Sequence, residues 1–214
     1  MTAEILFWIY GVTLICGTVI MLWQFKIIAP KYLRALLLLF VLTMAVEFPA
    51  RYIVEPPNHW LYNLFLPVEF LLLTSLFYFT YASAKIKTTV LIGSVLLVLF
   101  SIVNMTIGQG FRSFNTYTVL VSGLLILAWI FLYYKELLRG GEHIALLQQP
   151  MFWISSGMLV FYLGNVFVAG TINYFILKNH NVAVLLLQVI KVLNILMFAS
   201  FIVALLCPTP RTKS

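Results

Sequence analysis

Four charged side chains lie inside apolar stretches of the sequence, where ionisable groups are costly and usually functional. Glu47 and Arg51 are in the second apolar stretch, Glu69 is in the third and Lys191 is in the seventh. Carboxylates and cations at one depth form ion pairs, bind charged solutes or relay protons. Glu47 and Arg51 are four residues apart, so they can pair along one helix face.

The four charges are expected at a similar depth. At a rise of 1.5 Å per residue, Glu69 and Lys191 lie about 12 Å below the outer starts of their helices, and Glu47 lies roughly 10 Å below the outer end of its own. Helical side chains lean toward the N-terminus of their helix, which moves Glu69 and Lys191 outward and Arg51 back toward the centre. We therefore predict that these charges meet in one layer in the outer half of the membrane.

Prolines and polar side chains accompany the two carboxylates. Pro49 and Pro67 each free one backbone carbonyl, and irregular backbone at membrane depth is tolerated where it lines a cavity. Polar side chains fall nearby: Asn63, Asn165, Tyr162, Gln188 and Asn194, with Tyr52 and Tyr62 toward the rim. The pattern predicts a polar ligand-binding pocket that opens to the outer side. The alternative is a packing role, in which an intrahelical Glu47–Arg51 pair and interhelical asparagines only fix the helices.

The elements that position these residues are membrane-spanning helices. The 214 residues are 63% hydrophobic and 9% charged with a mean hydropathy of +1.06, far from the composition of soluble domains. A span needs about 20 apolar residues, and the chain contains seven such stretches: 5–24, 35–54, 61–83, 89–107, 116–134, 151–175 and 183–206. We predict an all-α, polytopic membrane protein with one seven-helix transmembrane domain over 1–214 and no soluble domain.

The basic residues predict the orientation, because cytoplasmic loops carry an excess of lysine and arginine. Nine of them fall on one side: Lys26, Lys31, Arg34, Lys85, Lys87, Lys135, Arg139, Arg211 and Lys213. Only Arg112 and Lys178 fall on the other side. The N-terminus is therefore expected outside and the C-terminus inside. The first stretch lacks the features of a signal peptide and is interpreted as a retained helix.

Several other functions are excluded by the sequence. The net charge of +7 reflects residues between apolar stretches, so it indicates orientation rather than nucleic-acid binding. Cys16 and Cys207 form no CxxC pair. The three histidines are interpreted as separate loop residues, and neither a metal nor a cofactor is expected. The longest connector, 135–150 with its Gly140-Gly141 break, is too short for a soluble catalytic domain.

Two families share features with the chain. A lysine in the seventh helix opposite a carboxylate in the third resembles microbial rhodopsins, whose lysine binds retinal as a Schiff base. The chain departs from that family at Leu187, where an aspartate is usual, and lacks its sixth-helix Trp and Tyr-Pro pair. Short motifs are similar to small seven-helix membrane proteins of Bacteroidetes-type bacteria: Tyr62-Asn63, Pro67-Val68-Glu69-Phe70, Trp153, Gly157, Tyr162, Gly164-Asn165, Asn194 and Cys207. That resemblance implies a bacterial inner (cytoplasmic) membrane and assigns no activity.

We predict a sensor or receptor-like module in the lipid bilayer. A small polar or amphipathic molecule from the outer side would bind the pocket, and a cytoplasmic or membrane protein partner would receive the signal. The first alternative is a small-solute or proton-coupled transporter that uses Glu47 or Glu69. The second is a structural membrane subunit without a ligand. An enzyme is less favoured, because neither a metal triad nor a Ser/His/Asp set lies at one depth.

Overall fold

The computed structural model describes residues 2–25, 31–55, 58–139 and 146–207, which fold into helices without a strand. Seven α-helices follow one another: α1 Thr2–Phe25, α2 Lys31–Tyr52, α3 His59–Thr80, α4 Ala84–Val103, α5 Thr116–Arg139, α6 Pro150–Lys178 and α7 His180–Leu206. A π-helical turn, Asn104–Gly108, extends α4, and a 3₁₀ turn, Leu146–Gln148, precedes α6. The predicted all-α class is confirmed.

All seven helices are long and apolar enough to cross a membrane, with candidate spans of 19 to 26 residues. The prediction of seven spans is confirmed, and the chain has the architecture of a multi-pass membrane protein. Large apolar side chains such as Leu96 of α4 and Leu163 of α6 remain exposed on the outside of the bundle. Such a surface is stable in lipid, which is as apolar as leucine.

Six helices form a closed ring. α1 contacts α2 and α7, α2 contacts α3, α3 contacts α5, α5 contacts α6, and α6 contacts α7. α4 lies outside this ring, against α3 and α5. A ring of six helices leaves an interior that side chains from every member reach, and α4 supports the wall without lining it.

The interior differs between the two ends of the ring. At the end where α1, α3, α5 and α7 finish, aromatic rings close the core. The ring centres of Phe40 and Phe198 lie 4.8 Å apart and those of Phe198 and Phe201 lie 5.6 Å apart, both pairs packed edge to face. These three side chains have no exposed surface. The site residues predicted from the sequence lie toward the opposite end, so this aromatic layer lies between them and the end where α7 finishes.

Glycine allows α6 and α7 to approach closely at Gly157 and Gly164. A Cβ added at Gly157 would overlap the Ser200 hydroxyl and lie 3.3 Å from the Met197 carbonyl oxygen. A Cβ added at Gly164 would overlap the Leu193 side chain. Both glycines are packing positions, and their contacts fix the wall that α6 and α7 share.

The loop predictions need correction. Residues 135–139 belong to α5, because lysine, glutamate and leucine are good helix formers that extend the helix past its apolar segment. His59 and His180 are the first residues of α3 and α7 rather than loop residues. The Gly140-Gly141 break and His143, like the loop cations Lys26, Arg211 and Lys213, lie outside the described residues.

Candidate functional site

A cavity of about 450 Å³ lies inside the ring, at the end where α3, α5 and α7 begin and where α2 and α6 finish. Eight of the nine site residues selected from the sequence line it: Glu47, Asn63, Glu69, Tyr162, Asn165, Gln188, Lys191 and Asn194. Only Arg51 is missing from its wall. The volume is within the range of about 300–1,000 Å³ that is typical of small-molecule sites.

Helical periodicity explains why these residues share one space. Tyr62, Leu66 and Glu69 recur at spacings of four and three along α3, so they form one stripe. Leu187, Lys191 and Asn194 do the same along α7. Both stripes face the interior of the ring, and the cavity lies between them.

Glu47 is bonded within the site. The Tyr62 hydroxyl donates to its carboxylate at 3.2 Å, which joins α2 to α3. The Lys191 ammonium attracts the same carboxylate from α7, although the two do not form a close ion pair in the described structure. Glu47 therefore has both a hydrogen-bond donor and a compensating positive charge.

Glu69 has neither. Its carboxylate repels that of Glu47, and among the described residues it forms no hydrogen bond or ion pair. Its accessible surface faces the cavity. An ionised carboxylate without a partner is very costly in a medium of low dielectric constant. A proton on Glu69, or a positively charged group in the cavity, would remove this cost.

The amide side chains divide into two kinds. The Asn63 amide donates to the carbonyl oxygens of Phe111 at 2.8 Å and Ser113 at 2.7 Å, which ties α3 to the segment before α5. Asn165, Gln188 and Asn194 line the cavity and have no hydrogen-bond partner among the described residues. Asn63 therefore has a structural role, whereas the other three amides are available to the contents of the cavity.

Arg51 lies elsewhere, and the intrahelical Glu47–Arg51 pair allowed by the sequence does not form in the described structure. Arg51 is in the last turn of α2 and is exposed. Its guanidinium lies 5.6 Å from the centre of the Phe7 ring, a cation–π contact. Near a helix end a long cationic side chain reaches solvent, which is less costly than burial.

Two aromatic residues of α1 complete the site and were not selected from the sequence. The Lys191 ammonium lies 5.9 Å from the centre of the Phe7 ring, so this ring contacts both cations. Tyr10 is buried and interacts electrostatically with Glu47 and Glu69. A signal for Tyr10 existed in its depth, because it lies about 12 Å below the start of α1 and Glu69 lies about 15 Å below the start of α3.

The prolines lie where the sequence predicts irregular helix. Pro49 is inside α2 and Pro67 is inside α3, each two residues from a cavity carboxylate. Neither helix is broken, because α2 continues through Pro49 to Tyr52 and α3 continues through Pro67 to Thr80. Each proline removes one backbone hydrogen bond and so weakens the helix beside the cavity.

The cavity offers acidic, basic and amide groups together with aromatic rings from Phe65, Phe114 and Phe161. Within the described ranges, no three His, Cys or acidic residues come together as metal ligands would. No protein-family model, curated protein or solved structure matches the chain. The mixture of polar and apolar groups in the cavity wall is typical of small-molecule sites.

Proposed function

We propose that the chain is a receptor-like membrane module whose cavity binds a small polar or amphipathic molecule. The observation that carries this proposal is a set of polar side chains that face the cavity without a hydrogen-bond partner in the described structure: Glu69, Tyr162, Asn165, Gln188 and Asn194. In a membrane, polar groups need partners inside the protein or in a wet cavity. The partners of these groups are the contents of the cavity.

The ligand would arrive from the outer side. Lys85 and Lys87 begin α4, and Lys135 and Arg139 end α5, so these four cations lie at the end of the bundle opposite the cavity. The positive-inside rule assigns that end to the cytoplasm. The proposal includes a bacterial inner membrane, an outside N-terminus and a partner protein that contacts the basic cytoplasmic end.

Transport is the second candidate function, and the prolines favour it. Pro49 and Pro67 weaken α2 and α3 beside the two carboxylates, and interrupted helices are common at transporter binding sites. Glu69, which lacks a partner in the described structure, would then exchange a proton for a substrate. A purely structural role fits Asn63 and Arg51, whose contacts are internal or at the rim.

Cysteine accessibility tests whether the cavity is open to the outer side. In a background with Cys16→Ser and Cys207→Ser, Asn165→Cys is treated in intact cells with a membrane-impermeant thiol reagent. Leu96→Cys is the control, because Leu96 is a lipid-facing residue of α4 that is 60% exposed. We expect rapid labelling of Asn165→Cys and none of Leu96→Cys. If the thiol reagent labels neither Asn165→Cys nor Leu96→Cys, the proposed water-accessible cavity is wrong.

Ligand binding is tested by the thermal unfolding of the purified chain in the presence of a defined panel of small amines, carboxylates, sugars and amino acids. A compound that occupies the cavity stabilises the wild type but not Glu69→Gln. Glu4→Gln is the matched control, because Glu4 is exposed in the first turn of α1. Compounds that stabilise Glu69→Gln equally would argue against the cavity. Uptake into proteoliposomes with and without a pH gradient separates a carrier from a receptor.

A further inference from the structure

A second pocket lies on the lipid-facing surface beside the cavity. It is a groove of about 450 Å³ between α1 and α7, formed by Ile5 and Leu6 on one side and by Leu185, Val189 and Val192 on the other. Its surface is almost entirely apolar. The inference drawn from it rests on the proposed function, because it concerns the class of molecule that the cavity binds.

The groove and the cavity share a wall. Gln188 of α7 lines both of them. On α1, Leu6 lines the groove, while the next residue, Phe7, contacts the cavity cation Lys191. One molecule that extends past Gln188 would therefore contact a polar space at one end and a lipid-exposed apolar surface at the other.

The charges of the cavity determine which polar group fits. Lys191 attracts Glu47, whereas Glu69 has no compensating cation in the described structure and is repelled by Glu47. A positive group beside Glu69 would remove this repulsion and supply the missing partner. The aromatic rings of Phe65 and Phe161 line the same space, and such rings attract organic cations.

The size of the cavity favours an organic cation over a bare ion. Its volume of about 450 Å³ far exceeds the share of about 30 Å³ that one water molecule occupies in the liquid. An amine with an apolar tail satisfies Glu69 and fills the groove at the same time.

We propose that the natural ligand is a single-chain amphiphilic amine that enters sideways from the bilayer. Its ammonium group binds beside Glu69, and its alkyl chain lies in the groove between α1 and α7. Gln188 marks the boundary between the two parts, where its amide can bond the polar end of the ligand. Lateral entry requires no water-filled path for the chain, because the tail never leaves an apolar environment.

The test measures the binding of n-alkylamines, from ethylamine to octylamine, to the purified full-length chain in lipid nanodiscs. Empty nanodiscs give the partitioning background. After subtraction of that background, and with the affinity referred to the free amine in water, we expect the affinity of the wild type to rise as the chain lengthens. The rise should be up to about four-fold per methylene group, because each one exchanges water for an apolar surface. Val189→Trp fills the groove, so this variant should bind ethylamine normally and lose the dependence on chain length. Leu96→Trp places the same side chain on the lipid face of α4 and should behave as wild type.

The head group is tested separately with n-alkanols of the same lengths, which carry no charge. We expect at least ten-fold weaker binding of octanol than of octylamine to the wild type, and a similar affinity for both in Glu69→Gln. Should Glu69→Gln fail to fold, the amine-to-alkanol ratio of the wild type still decides the point. Equal affinities for the two head groups would overturn the assignment of a cation.

The possible failures are distinguishable. The groove is ruled out if ethylamine binds but the affinity does not rise with chain length, or if the affinity of Val189→Trp rises with chain length as it does in the wild type. The cavity then remains a site for small polar molecules. Absence of binding by every probe overturns the amphiphilic amine as ligand. Labelling of Asn165→Cys would then show whether the proposed cavity fails as well, because that measurement needs no ligand.

Discussion

Asn63 and Asn165 lie in the wall of one cavity, and we expect the same substitution to affect them in opposite ways. Asn63 is 3% exposed and donates two hydrogen bonds to backbone carbonyls. Asn165 donates none within the described structure. Replacing each with alanine therefore separates an amide that holds the fold from one that faces a ligand.

The magnitudes follow from the bonds. A hydrogen bond contributes about 1 kcal/mol net, and interhelical ones in membrane proteins average about 0.6 kcal/mol. The loss of two bonds in Asn63→Ala should lower the free energy of unfolding by roughly 1–2 kcal/mol. Asn165→Ala removes no internal bond, so its effect should be within about 0.5 kcal/mol.

The assay is reversible unfolding of the purified chain in mixed micelles with increasing denaturing detergent, followed by circular dichroism. Ligand binding of each folded variant is measured alongside. Asn63→Asp is the isosteric control, because it keeps the shape but removes the amide donor and turns an acceptor toward the Phe111 and Ser113 carbonyls. It should destabilise at least as much as Asn63→Ala.

Two results would refute this reasoning. If Asn165→Ala costs as much stability as Asn63→Ala, then Asn165 has an internal partner and the distinction between the two amides is wrong. If Asn63→Asp is as stable as the wild type, the bonds from Asn63 do not hold the segment before α5. Intact stability of Asn165→Ala with weakened ligand binding is the outcome that the structure supports.

Three further substitutions test packing and electrostatics. Gly157→Ala should destabilise by about 1–3 kcal/mol, because its Cβ overlaps a side chain of α7; Gly170→Ala has open space around its Cβ and should not destabilise in the same detergent titration. Tyr62→Phe should cost about 1 kcal/mol, because one bond to a carboxylate is lost; an unchanged midpoint would show that this bond is not made. Phe7→Leu removes the ring that contacts both cations, so acylation of Lys191 by a water-soluble amine reagent should become faster, and an unchanged rate would contradict a shielding role for the ring.

Most of the fold could be predicted from the sequence, because apolar stretches of about 20 residues have no other stable arrangement in a bilayer. The cavity residues were also accessible to sequence reasoning. Glu69 and Lys191 are conspicuous because ionisable groups are rare at that depth. Helical periodicity then makes neighbouring polar residues such as Asn194 share their face.

The order of the helices around the ring could not be predicted from the sequence, and this limited the prediction of which residues form the site. Phe7 and Tyr10 belong to the site because α1 lies between α2 and α7, a contact that hydropathy does not encode. The sequence predicts Arg51 in the same layer as the other charges because its side chain, near the outer end of its helix, leans back toward the centre. In the structure the end of α2 gives its side chain a route to solvent, and the Phe7 ring lies on that route.

The connection between α6 and α7 has a consequence for biogenesis. Only Asn179 separates the two helices, and they share the most extensive contact of any helix pair in the described structure. Such a hairpin can assemble in the bilayer as one unit, whereas Glu47 and Glu69 belong to helices that are synthesised earlier. A nascent chain therefore carries Glu47 without its compensating cation until α7 arrives with Lys191. Completion of the cavity is thus also the step at which Glu47 of a newly made chain gains its compensating charge, and Glu69 is left for the contents of the cavity.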